Sequence, residues 1–252
     1  MAVGIAQSEW DKYKFPRFAR LHFLIKAFPI RLKIRTTLLN FRNSKNHKDI
    51  TNINLQKVSA SSLSHFSEHG WVFIENVFSD HTHKRLVSQW PPFYHFNPVK
   101  NIYKSYDTNF INRSQTLEQY PMISSLDNYL HSAEFLSWLT NFTDDAQTLS
   151  VSSTLFSRAS YQSSCINHLD SISTSENTKN QAINLIFFVR GSGGSRSGGT
   201  SIYRNAEGGL IFEPTNLTNS CLIYRSGFIY HGFQPMRLGS FRWMVSCHIS
   251  LH

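Results

Sequence analysis

The chain has 252 residues, 40% of them hydrophobic and 16% charged, enough to bury one good core but too few for two full domains. Its 20 Phe, 10 Tyr and 5 Trp argue against a coiled-coil or disordered protein, and three cysteines without C-x-x-C spacing argue against a disulfide framework or a zinc ribbon. The formal net charge of +9 sits at one end: Lys12 to Lys48 holds 11 Lys or Arg and no Asp or Glu, while the rest of the chain sets 14 basic residues against 16 acidic ones.

That basic segment is also apolar, with Phe15, Phe18, Leu21, Phe23, Leu24 and Phe28 set among the cations, and Pro16 and Pro29 divide it into short amphipathic pieces. Residues 1–50 are therefore expected to form a separate arm. It would lie on the protein's own core, on an anionic membrane surface or on a protein partner; nucleic acid is disfavoured, since no nucleic-acid-binding motif accompanies the charge. Met1 to Glu9 has no apolar leader pattern and no stretch is long enough to span a bilayer, so a cytoplasmic protein is expected, peripheral at the membrane if the arm binds lipid.

Residues 51–252 read as one domain. A helix is predicted over Ala60 to His69, stopped by Gly70, followed by a strand over Trp71 to Val77. Ser79 caps a second helix running through His83 to Trp90, and two more are predicted near Met122 to His131 and Ala133 to Asn141. From Leu149 the pattern changes to short β-type runs: Leu149 to Tyr161, Ala182 to Arg190, Thr200 to Asn205, Gly209 to Glu213, Cys221 to Tyr224, Ile229 to Phe233 and Phe241 to Ile249. Helices first and many short strands after predict an α+β fold, a double-stranded β-helix (jelly-roll) core from about residue 149 with N-terminal supporting helices. The stretch from Arg190 to Gly199 is glycine- and serine-rich but lacks the ending of a phosphate-binding loop; it reads as a flexible inter-strand loop, a candidate lid.

The chemistry is concentrated in His168-Leu-Asp170 and the later His231. On a strand, residues i and i+2 face one side, so His168 and Asp170 can converge on one ion, and His231 from another strand completes a two-His, one-carboxylate set with open coordination positions. That set suits Fe(II), a bidentate co-substrate and O2. His47-Lys-Asp49 has the same spacing, but it lies in a polar linker with nothing to hold it rigid. Arg242 follows His231 across the turn at Arg237 to Ser240. Read as a hairpin, this turn puts both strands side by side and points the guanidinium into the barrel, where it can clamp the far carboxylate of a dicarboxylate co-substrate. His81-Thr-His83, on a helix, reads as surface histidines, Asp144-Asp145 as solvated, and Arg237 as a less suitable clamp.

The ordered set Asn167-His-Leu-Asp170, Ile183-Asn-Leu-Ile-Phe-Phe-Val189, Gly198-Gly-Thr-Ser-Ile-Tyr203, Tyr230-His-Gly-Phe-Gln-Pro-Met236 and Phe241-Arg-Trp243 resembles the 2-oxoglutarate and Fe(II)-dependent dioxygenases, in their prolyl-hydroxylase-like branch. The resemblance covers the last hundred or so residues. It implies that His168, Asp170 and His231 bind Fe(II), that Arg242 binds the 2-oxoglutarate C5 carboxylate, and that Tyr161 also reaches the co-substrate. Met244 stands where many members have a serine, which leaves Ser246, further along the same face, and the inward-facing Asn184 as the remaining candidate co-substrate contacts. An aspartate at 170 disfavours halogenation, and the expected reaction with O2 is hydroxylation of a peptide or small-molecule substrate. The alternatives are a non-catalytic jelly-roll metal- or ligand-binding or adaptor protein, and a zinc hydrolase, which would not need Arg242. If the arm binds membranes, co-sedimentation with liposomes will require anionic lipid and will vanish on deletion of residues 1–50; binding that survives the deletion refutes that role.

Overall fold

The computed structural model describes residues 53–92, 95–99, 104–105, 107–110, 119–143, 148–170 and 183–251. The basic arm, the His47-Lys-Asp49 spacing, Asp144, Asp145 and His252 lie outside the described residues.

Helix α1 (Ala60–His69) begins where the Ser59 hydroxyl accepts the Ser62 N–H at 3.1 Å, and ends at Gly70. At φ +76° Gly70 takes the left-handed conformation that glycine adopts without steric cost, and its N–H reaches the Phe66 carbonyl at 2.8 Å. The chain then turns directly into β1 (Trp71–Glu75). Helix α2 (Asp80–Ser88) is capped by Ser79 on the Thr82 N–H, and Asp80 in its first turn complements the helix dipole. His83, expected at the surface, instead places Nε2 2.7 Å from the Val189 carbonyl and braces this helix against the sheet. Helix α3 (Pro121–Leu130) starts with proline at its first turn, where no N–H is missed, and Ser132 caps α4 (Ala133–Leu139), which tightens into a 3-10 turn over Thr140–Phe142.

Three strands, β2 (Phe96–Val99), β3 (Lys104–Ser105) and β4 (Asp107–Phe110), lie in a stretch where the sequence predicts no element. They lack apolar alternation, and the first and second are edge strands. The following eight are β5 (Leu149–Ala159), β6 (Ser164–His168), β7 (Ile183–Gly191), β8 (Ser201–Asn205), β9 (Gly208–Phe212), β10 (Ser220–Arg225), β11 (Tyr230–Phe233) and β12 (Arg242–Leu251). They form a jelly roll: the chain passes back and forth between a seven-stranded sheet, β1-β10-β7-β12-β5-β4-β2, and a five-stranded sheet, β3-β6-β11-β8-β9. The predicted strand from Leu149 to Tyr161 is β5, and His168 lies beyond a turn at Tyr161 and Gln162 on a separate strand, β6, of the other sheet.

The predicted hairpin between His231 and Arg242 does not form. β11 pairs with β6 and β8, whereas β12 pairs with β5 and β7, so residues 234–241 carry the chain from one sheet to the other. Arg242 therefore enters the barrel from the sheet opposite His231. The glycine-rich loop is also tied down: Gly194 N–H meets the Pro214 carbonyl at 2.6 Å, Gly199 N–H the Gly194 carbonyl at 2.9 Å, and Arg237 N–H the Arg196 carbonyl at 2.8 Å.

β7 is buried on both faces, which explains its unbroken apolar run. Leu185, Phe187 and Val189 pack on the helices together with Phe66, Leu86, Leu126, Phe135 and Leu139, while Ile186 and Phe188 face the barrel interior beside Leu222, Ile202 and Met244. Phe187 is fully buried, with its ring centroid 5.5 Å from that of Phe78 and 6.3 Å from that of Phe135. Phe187→Ala is expected to destabilise the domain by about 3–5 kcal/mol through lost burial and the cavity left behind, a drop on the order of 10 °C in Tm by calorimetry. A change within a degree would show that this helix–sheet layer is not part of the cooperative core.

Candidate metal centre

His168 ends β6 and His231 stands in β11, and the register of these antiparallel neighbours sets them directly opposite each other. The imidazole centroids lie 4.4 Å apart. Between them comes Asp170, just past β6, with Oδ1 3.3 Å from His168 Nε2 and Oδ2 3.6 Å from His231 Nε2. One donor atom from each of the three residues falls within 4.8 Å of the others. The strands can approach this closely because residue 232 is glycine: a Cβ there would stand 2.7 Å from the Cys165 carbonyl oxygen and 2.8 Å from that of Ile166.

Both rings are held in the same tautomer. His168 Nδ1 lies 2.8 Å from the Ile166 carbonyl and His231 Nδ1 3.1 Å from the Ile229 carbonyl. A carbonyl only accepts, so each Nδ1 carries a hydrogen, and each Nε2 is the nitrogen directed at the carboxylate. Backbone carbonyls behind ligand imidazoles are the usual means of orienting metal-binding histidines. Two imidazole nitrogens and a carboxylate oxygen fit Fe(II), and the side chains are 11% (His168), 22% (Asp170) and 6% (His231) exposed, so the site is recessed but reachable.

Without metal the site is an ion pair. Burial pulls the His168 imidazole down, but its hydrogen bonds to Asp170 and Cys165 outweigh burial and push it up to about 10. Burial likewise raises Asp170, yet hydrogen bonding to His168 and the charges of both histidines hold its carboxyl well below the usual range.

Arg242, the first residue of β12, is 1% exposed. Its guanidinium lies over the Phe233 ring, 3.8 Å from the centroid, and Nη1 donates to the Gly198 carbonyl at 3.0 Å and the Thr200 hydroxyl at 3.2 Å. It shares the inward face of β12 with Met244, whose neighbours are the interior residues Ile186, Phe188 and Leu222.

No protein-family model matches the chain, and no curated protein matches its sequence. Solved structures match its fold. A Trichoplax adhaerens prolyl hydroxylase, in complex with a hypoxia inducible factor oxygen degradation domain peptide, is 12% identical over 75% of this chain and 87% of its own, with a TM-score of 0.52. A Burkholderia pseudomallei oxidoreductase of the 2OG-Fe(II) oxygenase family is 12% identical over 78% and 92%, with a TM-score of 0.52. HygX from Streptomyces hygroscopicus, with nickel, 2-oxoglutarate and hygromycin B bound, is 9% identical over 77% and 87%, with a TM-score of 0.50. The chain has the fold of the 2-oxoglutarate and Fe(II)-dependent oxygenases.

Within this oxygenase fold the residues singled out from sequence fall into two groups. His168, Asp170 and His231 come together, and Asn184 joins them: its Nδ2 donates to Asp170 Oδ2 at 2.5 Å, a contact to the carboxylate that the expected co-substrate role did not include. Arg242 is inside the barrel, and Ser246, 7% exposed, meets His248 Nε2 at 3.3 Å. Tyr161 sits on the turn between β5 and β6 and is 36% exposed, and Arg237 is exposed on the turn before β12.

Two residues of the site escaped the sequence reading. Tyr224 is buried, with its hydroxyl 2.9 Å from Asp170 Oδ2 and 3.1 Å from His231 Nε2. Alternation along β10 puts Tyr224 and Leu222 on one face, so its inward direction could have been read, though not its partner. Thr200, which accepts from Arg242, lies in the Gly198-Gly-Thr-Ser-Ile-Tyr203 motif, where nothing local in the sequence signals its partner.

Because His168 holds a proton below about pH 10 in the metal-free protein, a divalent ion must displace it. Metal affinity is expected to rise with pH up to that value, with about one proton released per ion near pH 7.5, measured by calorimetry in buffers of different ionisation enthalpy. The same pair stabilises the metal-free fold below the unfolded-state value of 6.5, and that contribution is lost as pH rises through 10. Metal binding without proton release would show that His168 is neutral.

Proposed function

We propose that the protein is a 2-oxoglutarate-dependent non-haem iron dioxygenase that hydroxylates a C–H bond of a peptide or small-molecule substrate, with release of succinate and CO2. The observation that carries this reading is the convergence of two imidazole Nε2 atoms and a carboxylate at one recessed point of a barrel that also buries Arg242. A metal-binding module needs the first of these and has no use for the second.

His168, Asp170 and His231 would hold Fe(II), which together with 2-oxoglutarate and O2 supplies the oxidising chemistry. The chain's own contribution is orientation and dryness. The Ile166 and Ile229 carbonyls take the Nδ1 hydrogens and so would leave both Nε2 atoms to the ion. Gly198, Thr200 and the Phe233 ring fix the plane of the Arg242 guanidinium, whose fork suits the far carboxylate of 2-oxoglutarate. Ile186, Phe188, Ile202, Leu222 and Met244 line the interior with apolar surface, so a charge pair formed there is little screened by water. The peptide in complex with one structural neighbour and the hygromycin B bound to another support a substrate of either kind.

Anaerobic addition of Fe(II) and 2-oxoglutarate is expected to produce a weak visible metal-to-ligand charge-transfer band. His231→Ala should abolish it, and Arg242→Ala should weaken 2-oxoglutarate affinity at least about tenfold, in line with the loss of a charge-assisted bidentate contact. Absence of the band in well-folded protein would leave the barrel as a binding module or adaptor.

A further inference from the structure

Asp170 is met on its two oxygens by different kinds of group. Oδ2 accepts the Asn184 Nδ2–H at 2.5 Å and lies 2.9 Å from the Tyr224 hydroxyl, whereas Oδ1 lies 3.3 Å from His168 Nε2. Asn184 and Tyr224 reach it from β7 and β10, neighbours in the seven-stranded sheet whose register pairs these two residues directly. Both are 2% exposed. They are thus a built pair of buried donors aimed at one oxygen of one carboxylate.

The Tyr224 hydroxyl has one proton and two acceptors within reach, Asp170 Oδ2 at 2.9 Å and His231 Nε2 at 3.1 Å. When a metal ion takes the His231 lone pair, only the carboxylate oxygen can accept that proton. Oδ2 then carries two hydrogen bonds and Oδ1 carries the coordination.

We propose that Asn184 and Tyr224 are a positioning pair that restricts Asp170 to binding the metal through Oδ1 alone. This inference rests on the reading of His168, Asp170 and His231 as the metal ligands. Its consequence is an additional open position on the ion: a carboxylate gripping through both oxygens would occupy one of the places that a bidentate co-substrate and O2 together require. Neither residue need touch substrate for this.

Mn(II), redox-inert here and paramagnetic, reports the open positions directly through the relaxation of water protons in its inner sphere. The full-length protein is loaded with Mn(II) in the absence of 2-oxoglutarate and compared with Tyr224→Phe/Asn184→Ala, whose folding is checked by circular dichroism. The wild type is expected to retain about three inner-sphere waters, and the double variant to lose about one of them, a fall of about a third in the inner-sphere contribution, as Asp170 swings to two-oxygen binding. Equal relaxation in wild type and folded double variant overturns the proposal, whatever happens to affinity. Should the double variant not fold, the single variants Tyr224→Phe and Asn184→Ala take its place, and a fall in neither has the same meaning. A wild type that binds no Mn(II) at this site refutes the ligand assignment itself, and with it this inference.

Discussion

A carboxylate taken most of the way out of water has to be met by donors or cations, and the protein meets Asp170 from both of its sheets. His168 and His231 come from neighbouring strands of the smaller sheet, Asn184 and Tyr224 from neighbouring strands of the larger one. The site therefore exists only if the chain alternates between sheets as a jelly roll does, because in sequence these residues are scattered across four strands. Fold and site are one constraint here, since the topology that packs the barrel also gathers the groups that neutralise its buried anion.

The same logic governs the other buried charge. Arg242 has its guanidinium over an aromatic ring, with a carbonyl and a hydroxyl on one nitrogen, an arrangement that orients the cation within the barrel. On the reverse face of the strand, Trp243 stacks parallel to Trp90 and lies under the guanidinium groups of Arg158 and Arg190, so the backbone that presents Arg242 is held from outside the barrel as well. The helices α1 to α4 fill the outer side of the larger sheet with Phe66, Leu86, Leu126 and Phe135, which lets β7 be apolar on both faces and still carry Asn184 inward.

What the sequence made legible follows the physics that is local. Caps and stops such as Ser79 and Gly70, the apolar periodicity of the helices, the run of β7 and the i, i+2 geometry of His168 and Asp170 are all written within a few residues. Strands β2 to β4 carry no such pattern, because at two to four residues each they are too short to show an alternation. The turn before β12 could not announce that it crosses between sheets, since eight residues suit a hairpin or a crossing equally well, and the pairing is decided by β5 and β7 far earlier in the chain. Tyr224 and the true partner of Asn184 were hidden for the same reason: strand parity gives the direction of a side chain but not what waits opposite it.

The glycine after His231 gives the centre an unusual kind of permanence. The distance between the two imidazoles is set by main chain touching main chain, at a point where Gly232 leaves no room for any other residue beside the Cys165 and Ile166 carbonyls. Side chains around the site can be exchanged to suit a new substrate without altering the span between the histidines, whereas a single methyl group at position 232 would wedge the strands apart. The spacing of the two histidines is in that sense the fixed part of the barrel and the lining its adjustable part, so the lining can change without disturbing the candidate metal centre.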